Sequence, residues 1–411
     1  MIKNAYRLFF YARPTFMESL CDWLFYLIIL LIPFERAFKA EKFAFLQYFV
    51  VLFVFVALFR FAKYYSKFNI AIIFYFVFLF WGSIADIRTT GWLGLLSLWY
   101  MLRSWVVWFL MLFAYNMSLQ SSIKVKRLIL CIILMACLVA LLRTFGIGVD
   151  DSHERMEVMG ANVNATARIL VLVVVYTLLL LSNGIKASMI YRVTFGIISL
   201  MAMFAMIKTA SRGGALALAL GMSGLVFTSR KVSRKIIYLI MAGIALAGFI
   251  YLVISNDVLM ERFFHAYYDD DTGGRKGFIE MSWYLLSYSK LFGYGCIAHT
   301  FELGQAFGIE IRATHNTYMY ALMAAGYPGA LFYYLSLAII AWSAWKIKEV
   351  PYGNFLFLVC LMMFFSGYVM NIEGTKWLYV VYGVTLGLSD RIKYARQLHL
   401  PDSEWVYNKE V

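Results

Sequence analysis

Twelve apolar windows of twelve to twenty-nine residues take up most of this 411-residue chain, and that succession restricts its fold more than any other feature. Windows this long and apolar all round can satisfy their backbone N–H and C=O groups in lipid only as helices. They fall at Leu20–Phe34, Phe43–Phe59, Phe68–Ile84, Leu93–Met117, Leu128–Leu142, Ala167–Leu181, Val193–Ile207, Gly214–Phe227, Ile236–Ile254, Thr317–Trp345, Asn354–Tyr368 and Trp377–Leu388. Several are shorter than the ~20 residues of a perpendicular span, so flanking residues are expected to complete them. The expected fold is all-α: a polytopic integral membrane protein with about twelve transmembrane helices. It is read as one membrane domain over residues 1–411, with a large outer loop at 255–314 carrying short amphipathic helices and a cytoplasmic tail at 389–411.

Composition agrees. With 63% hydrophobic and only 15% charged residues, the chain lacks the polar surface to cover a soluble globule of its size. Of the five cysteines, Cys21, Cys131, Cys137 and Cys360 lie in apolar windows and Cys296 in the long loop, which argues against a disulfide framework. The first seventeen residues carry Lys3, Arg7 and Arg13 among aromatics and precede a window without a small-residue cleavage site. They read as a basic interfacial lead-in to a retained first helix, which keeps contact with membrane lipids.

Connector charge sets the orientation. If the N-terminus is cytoplasmic, 21 of the 37 Lys and Arg fall in inner connectors and 15 in outer ones, with Arg103 left inside the fourth span. Of the 23 acids, 16 fall outside, so the inner face carries nearly all of the net charge of +14. That asymmetry predicts an even number of spans with both termini cytoplasmic. The net charge thus reports topology, and no nucleic-acid partner is implied.

Two outer connectors are long, 143–164 and 255–314. In the second, Phe278, Met281, Leu285 and Tyr288 recur at helical spacing and predict an amphipathic surface helix over Gly277–Lys290.

The chemistry-bearing residues gather at the outer face. Arg212 stands in Ser211-Arg212-Gly213-Gly214 at the turn into the eighth span, where glycines permit close approach and a helix start favours an anion. The alternative is an interfacial arginine reaching to lipid headgroups. Arg275 follows Asp269-Asp270-Asp271-Thr272-Gly273-Gly274 and opens the surface helix; alone it reads more readily as a solvated loop charge, and the acids read as a solvated loop tip in preference to a metal site. His315, in Thr314-His315-Asn316-Thr317-Tyr318, sits where a loop re-enters an apolar helix, and an imidazole there can take a proton from an attacking hydroxyl. The alternative for it is a polar helix cap.

The order and wording of these sites resemble the O-antigen ligase and O-antigen polymerase superfamily of bacterial envelope glycosyltransferases. The matching pieces are Ser211-Arg212-Gly213-Gly214; Arg275 with Trp283 and Leu291-Phe292-Gly293-Tyr294-Gly295; and His315-Asn316-Thr317-Tyr318 leading to Gly326-Tyr327-Pro328-Gly329. Asn162 and Asn164 ahead of Arg168 resemble the family's Asn-containing start of the sixth span.

The resemblance implies inverting glycan transfer from an undecaprenyl-diphosphate-linked donor on the periplasmic side of the bacterial inner membrane, with no cofactor and no required metal. It implies that Arg212 and Arg275 neutralise the diphosphate and that His315 activates the acceptor hydroxyl. Ser211, Asn316 and Tyr318 are expected to contact substrate, and Arg168 and Arg103 to hold a secondary role or an internal ion pair. The acceptor is expected to be lipid A-core, as for a ligase. A polymerase extending a lipid-linked glycan is the alternative, and an exporter or flippase the second alternative. Clustering of cations at one face favours an enzyme over a transporter, whose charges line a midplane cavity.

Overall fold

The computed structural model describes residues 16–34, 45–91, 95–147, 149–150, 157–158, 163–182, 185, 187–209, 211–229, 232–254, 260, 275–309, 311–350, 352–370, 372 and 375–397. Fifteen α-helices are described: α1 (Phe16–Leu31), α2 (Phe45–Leu58), α3 (Phe61–Tyr64), α4 (Ile70–Thr90), α5 (Leu95–Gln120), α6 (Ser122–Thr144), α7 (Val163–Leu181), α8 (Met189–Lys208), α9 (Arg212–Thr228), α10 (Val232–Ile254), α11 (Arg275–Tyr288), α12 (Ala298–Ala306), α13 (Thr317–Ile347), α14 (Gly353–Val369) and α15 (Lys376–Gln397). A short antiparallel pair, β1 (Val149–Asp150) and β2 (Glu157–Val158), interrupts the connector before α7.

Each of the twelve apolar windows falls on a helix. Six stretches are long and apolar enough to cross a membrane: Phe16–Phe34, Ile70–Thr90, Ser122–Thr144, Val163–Leu181, Met189–Met206 and Thr317–Ile347. Shorter apolar helices lie at Tyr48–Leu58, Gly213–Thr228 and Gly353–Tyr368. Large apolar side chains stay exposed along the bundle, among them Phe59, Ile190, Leu200, Phe227 and Ile244. In water such a belt would aggregate; in lipid it is the solvated surface.

α7 is the innermost of the six, with 89% of its apolar window buried, as a helix apolar on every side requires. Close approach elsewhere depends on small residues: Gly383 and Gly387 of α15 lie against the Met111 and Tyr115 carbonyls of α5, where any side chain would collide.

Hydrogen bonds and ion pairs tie helix ends in two sets. At the lower end, where α1 and α4 begin, Lys63 pairs with Glu18, Lys124 with Asp22, and Asp390 accepts from Asn69 and Tyr115. At the upper end, where α7, α9 and α13 begin, Ser211 bonds Asn164 and Asn316 bonds Tyr368. These sets lie at opposite ends of the bundle.

The structure adds detail to three expectations. The surface helix is α11, and its buried side chains are Phe278, Ser282 and Leu286, one per turn; Tyr288 points outward, because contact with Met319 and Met323 of α13 selects the inward face. The long loop also carries a second short helix, α12, whose bounds the apolar pattern did not mark. The tail expected from residue 389 continues as helix to Gln397; Asp269–Asp271 and Asn162 lie outside the described residues.

Candidate functional site

The upper end is assembled by two interlocks. The first concerns α13, which Gly326 breaks with φ 61° and ψ −170°, two residues before Pro328. In an unbroken helix the Met323 carbonyl would accept from Tyr327 N, while Pro328 has no N–H to offer the Ala324 carbonyl. Here Tyr327 N donates instead to the Lys290 carbonyl (2.8 Å), and the two freed carbonyls accept from Tyr294 N (2.7 Å) and Gly295 N (2.9 Å). Glycine is required on both sides: Gly293 (φ 69°) and Gly326 each lie against the other's neighbouring backbone, about where a Cβ would stand at 2.6 Å. Two motifs far apart in sequence thus complete each other's hydrogen bonding.

Asp86, at the upper end of α4, closes the same loop. Its carboxylate accepts from Cys296 N (2.9 Å), Ile297 N (3.0 Å) and Ala298 N (2.8 Å), satisfying the start of α12. Trp81 donates to the Leu291 carbonyl and stacks on Phe292. His299 of α12 is fully buried against Tyr320; burial pushes its pKa down to about 4, so it is neutral and structural near pH 7.

The second interlock holds the motif residues. Ser211 is the N-cap of α9: its Oγ accepts from Gly214 N (3.1 Å) and donates to Asn164 Oδ1 (2.8 Å) on the first turn of α7. Arg212 is therefore the first residue of α9, beside an end with unpaired N–H groups. Arg168, one turn further along α7, is buried and donates from Nε to the Asn164 carbonyl (3.2 Å). Gly213 touches Met370, just past α14, and Gly214 touches Ala167.

Met370 is also the link to α13. Its carbonyl accepts from Thr317 Oγ1 (2.9 Å), which in turn accepts from Ile372 N (2.8 Å). Asn316 caps α13 by accepting from Tyr318 N and Met319 N, and its amide donates to the Tyr368 carbonyl (2.9 Å). The Tyr318 hydroxyl donates to the Phe364 carbonyl (2.7 Å). Asn316 and Tyr318, expected to touch substrate, have these polar groups engaged in joining α13 to α14.

His315 precedes this cap with φ 52°, a left-handed conformation uncommon for a side chain with a Cβ and a local store of strain. Its half-buried ring lies 5.9 Å from that of Phe278, centroid to centroid. Phe278 stands one turn into α11, the helix that Arg275 opens. So the starts of α7, α9, α11 and α13, carrying Arg168, Arg212, Arg275 and His315, are joined at one end of the bundle. The side chains of Arg212, Arg275 and Arg103 lie outside the described residues. Arg103 is on α5, and no described contact ties it to the cluster.

One residue escaped the sequence reading. The Arg312 guanidinium lies over Phe278, with Cζ 4.1 Å from the ring centroid, so the same ring neighbours both Arg312 and His315. The only sequence signal is a basic residue three positions before the histidine; its partner stands thirty-four residues upstream.

No curated protein matches the chain. Residues 196–334, from α8 through the first half of α13, match the family model described as O-antigen ligase. The Ser211–Gly214, Arg275, Gly293–Gly295, His315–Tyr318 and Gly326–Gly329 motifs all lie within that stretch, so the family match and the motifs identify the same O-antigen ligase-like region of the chain.

Proposed function

We propose that this protein moves a glycan from an undecaprenyl-diphosphate-linked donor onto an acceptor hydroxyl, with inversion, at the periplasmic face of the inner membrane. The favoured acceptor is lipid A-core. The observation that carries the reading is the meeting of two arginine-opened helices, α9 and α11, with His315 at one end of the bundle. The excess of basic residues in the opposite connectors makes that end periplasmic in a twelve-span arrangement with both termini cytoplasmic.

The donor's diphosphate sits at headgroup depth, where the starts of α9 and α11 offer N–H groups and guanidinium charge to an anion. The acceptor O–H gives its proton to the His315 imidazole as the oxygen bonds to the anomeric carbon. The bond from that carbon to the diphosphate oxygen breaks, and its electron pair leaves on the diphosphate. Arg212 and Arg275 stabilise that growing charge, which is where preorganised cations lower a barrier most. Asn316, Thr317 and Tyr318 act by fixing His315 against α14, and Asn164 by fixing Ser211 and hence the start of α9.

The envelope glycan profile of a deletion strain tests this reading. Naked lipid A-core supports ligation; core bearing one repeat unit moves the reading to polymerisation. Lipid-linked repeat units trapped on the cytoplasmic side would replace the transferase with an exporter.

A further inference from the structure

Among the described residues, Arg312 is a cation with an aromatic support and no ion-pair partner. Its backbone N–H donates to the Thr300 carbonyl (2.9 Å), pinning the segment to α12. Its guanidinium rests on Phe278, whose own ring is held edge-on by Phe307 at 5.0 Å, so the stack has a rigid base. Nε is buried, and among the described residues it meets no hydrogen-bond acceptor. Two ion pairs among the described residues, Lys63–Glu18 and Lys124–Asp22, stand at the far end of the bundle. An aromatic face offsets part of a guanidinium's charge but takes none of its in-plane N–H donors. A planar cation held over a ring, with its Nε donor unused among the described residues, fits an anion with several oxygens.

On the reading given under Proposed function, we propose that Arg312 is a third anion-binding residue of the donor site, contacting the diphosphate of the lipid-linked donor. Phe278 positions it: one ring faces the Arg312 guanidinium and the His315 imidazole, and stands one turn from Arg275. The base and the diphosphate site are thereby held at a set separation by a group that takes no part in the chemistry.

The test is binding of undecaprenyl diphosphate, carrying no sugar, to purified full-length protein in lipid nanodiscs, with thermal melts to check folding. Arg312→Gln is expected to weaken binding about tenfold or more, the usual weight of a charge-assisted contact. Arg312→Lys should recover part of it, and Phe278→Leu, which keeps apolar volume but removes the flat support, should fall between. Wild-type affinity in Arg312→Gln overturns the proposal. If Gln does not fold, Arg312→Lys decides: affinity equal to wild type overturns, a several-fold loss supports. Weakening seen only with donors whose sugars carry carboxylates assigns Arg312 to the glycan and sinks the diphosphate contact. If the wild-type protein itself does not bind undecaprenyl diphosphate, the donor reading under Proposed function falls and this proposal falls with it.

Discussion

The two ends of the bundle treat charge in opposite ways. At the lower end, where α1 and α4 begin, acids and bases meet: Glu18 with Lys63, Asp22 with Lys124 and Tyr64, Asp390 with Asn69 and Tyr115. At the upper end Asp86 is saturated by backbone N–H groups of the loop, and Arg312 rests on a ring. Paired charges close a surface; charges held in place with bonding capacity left over make a site.

The largest effects should come from breaking the upper end's chemistry. Arg212→Ala and Arg275→Ala should each lower glycan transfer by roughly a hundredfold or more while the protein stays folded, since each removes a cation facing developing charge. Transfer assays run beside thermal melts decide this, and wild-type activity in either variant removes that residue from the site. His315→Ala should lower turnover by about a hundredfold while leaving undecaprenyl diphosphate affinity intact. A lost affinity with unchanged turnover per complex would make His315 a binding group.

Next come changes to the scaffold that presents the site. Gly326→Ala forces a Cβ against the Lys290 and Leu291 carbonyls at a positive φ, and should cost about 3 kcal/mol or more of stability. Asp86→Asn removes the charge that caps α12 and should cost about 2 kcal/mol. Faster hydrogen exchange confined to 293–306 is the signature for Asp86→Asn; an unchanged exchange pattern would detach that loop from α4.

The smallest effect belongs to the lower end. Exchanging both partners, Glu18→Gln with Lys63→Gln, should shift stability by less than about 1 kcal/mol and leave transfer unaltered. A large loss of activity there would erase the contrast between the two ends. Transfer is also expected to persist in EDTA, because guanidinium groups offset the diphosphate; activity lost on chelation and restored by Mg²⁺ would give the upper end a metal in place of its arginines.

The helices were legible because hydrophobic length is a local property, and every apolar window coincides with a helix. Less visible was whatever depends on a partner far along the chain. Nothing local marks Asp86 as the cap of a helix more than two hundred residues later, or Met370 as the joint between Gly213 and Thr317. α11 was found by its periodicity, yet its inward face shifted because α13 decides which stripe is covered. Arg212, Arg275 and His315 stood out as motifs, while Arg312 acquires meaning only through a ring on another helix.

The break in α13 has a mechanical consequence. The ten residues from Asn316 to Ala325 form a short beam clamped at both ends, by Tyr368 and Met370 at its start and by Tyr294 and Gly295 where it stops. Such a beam resists bending. α11 packs on it through Leu286 against Met319 and Met323 and turns Trp283, Tyr284 and Tyr288 outward. On the proposed function, a glycan brought to His315 meets α13 as a fixed anvil.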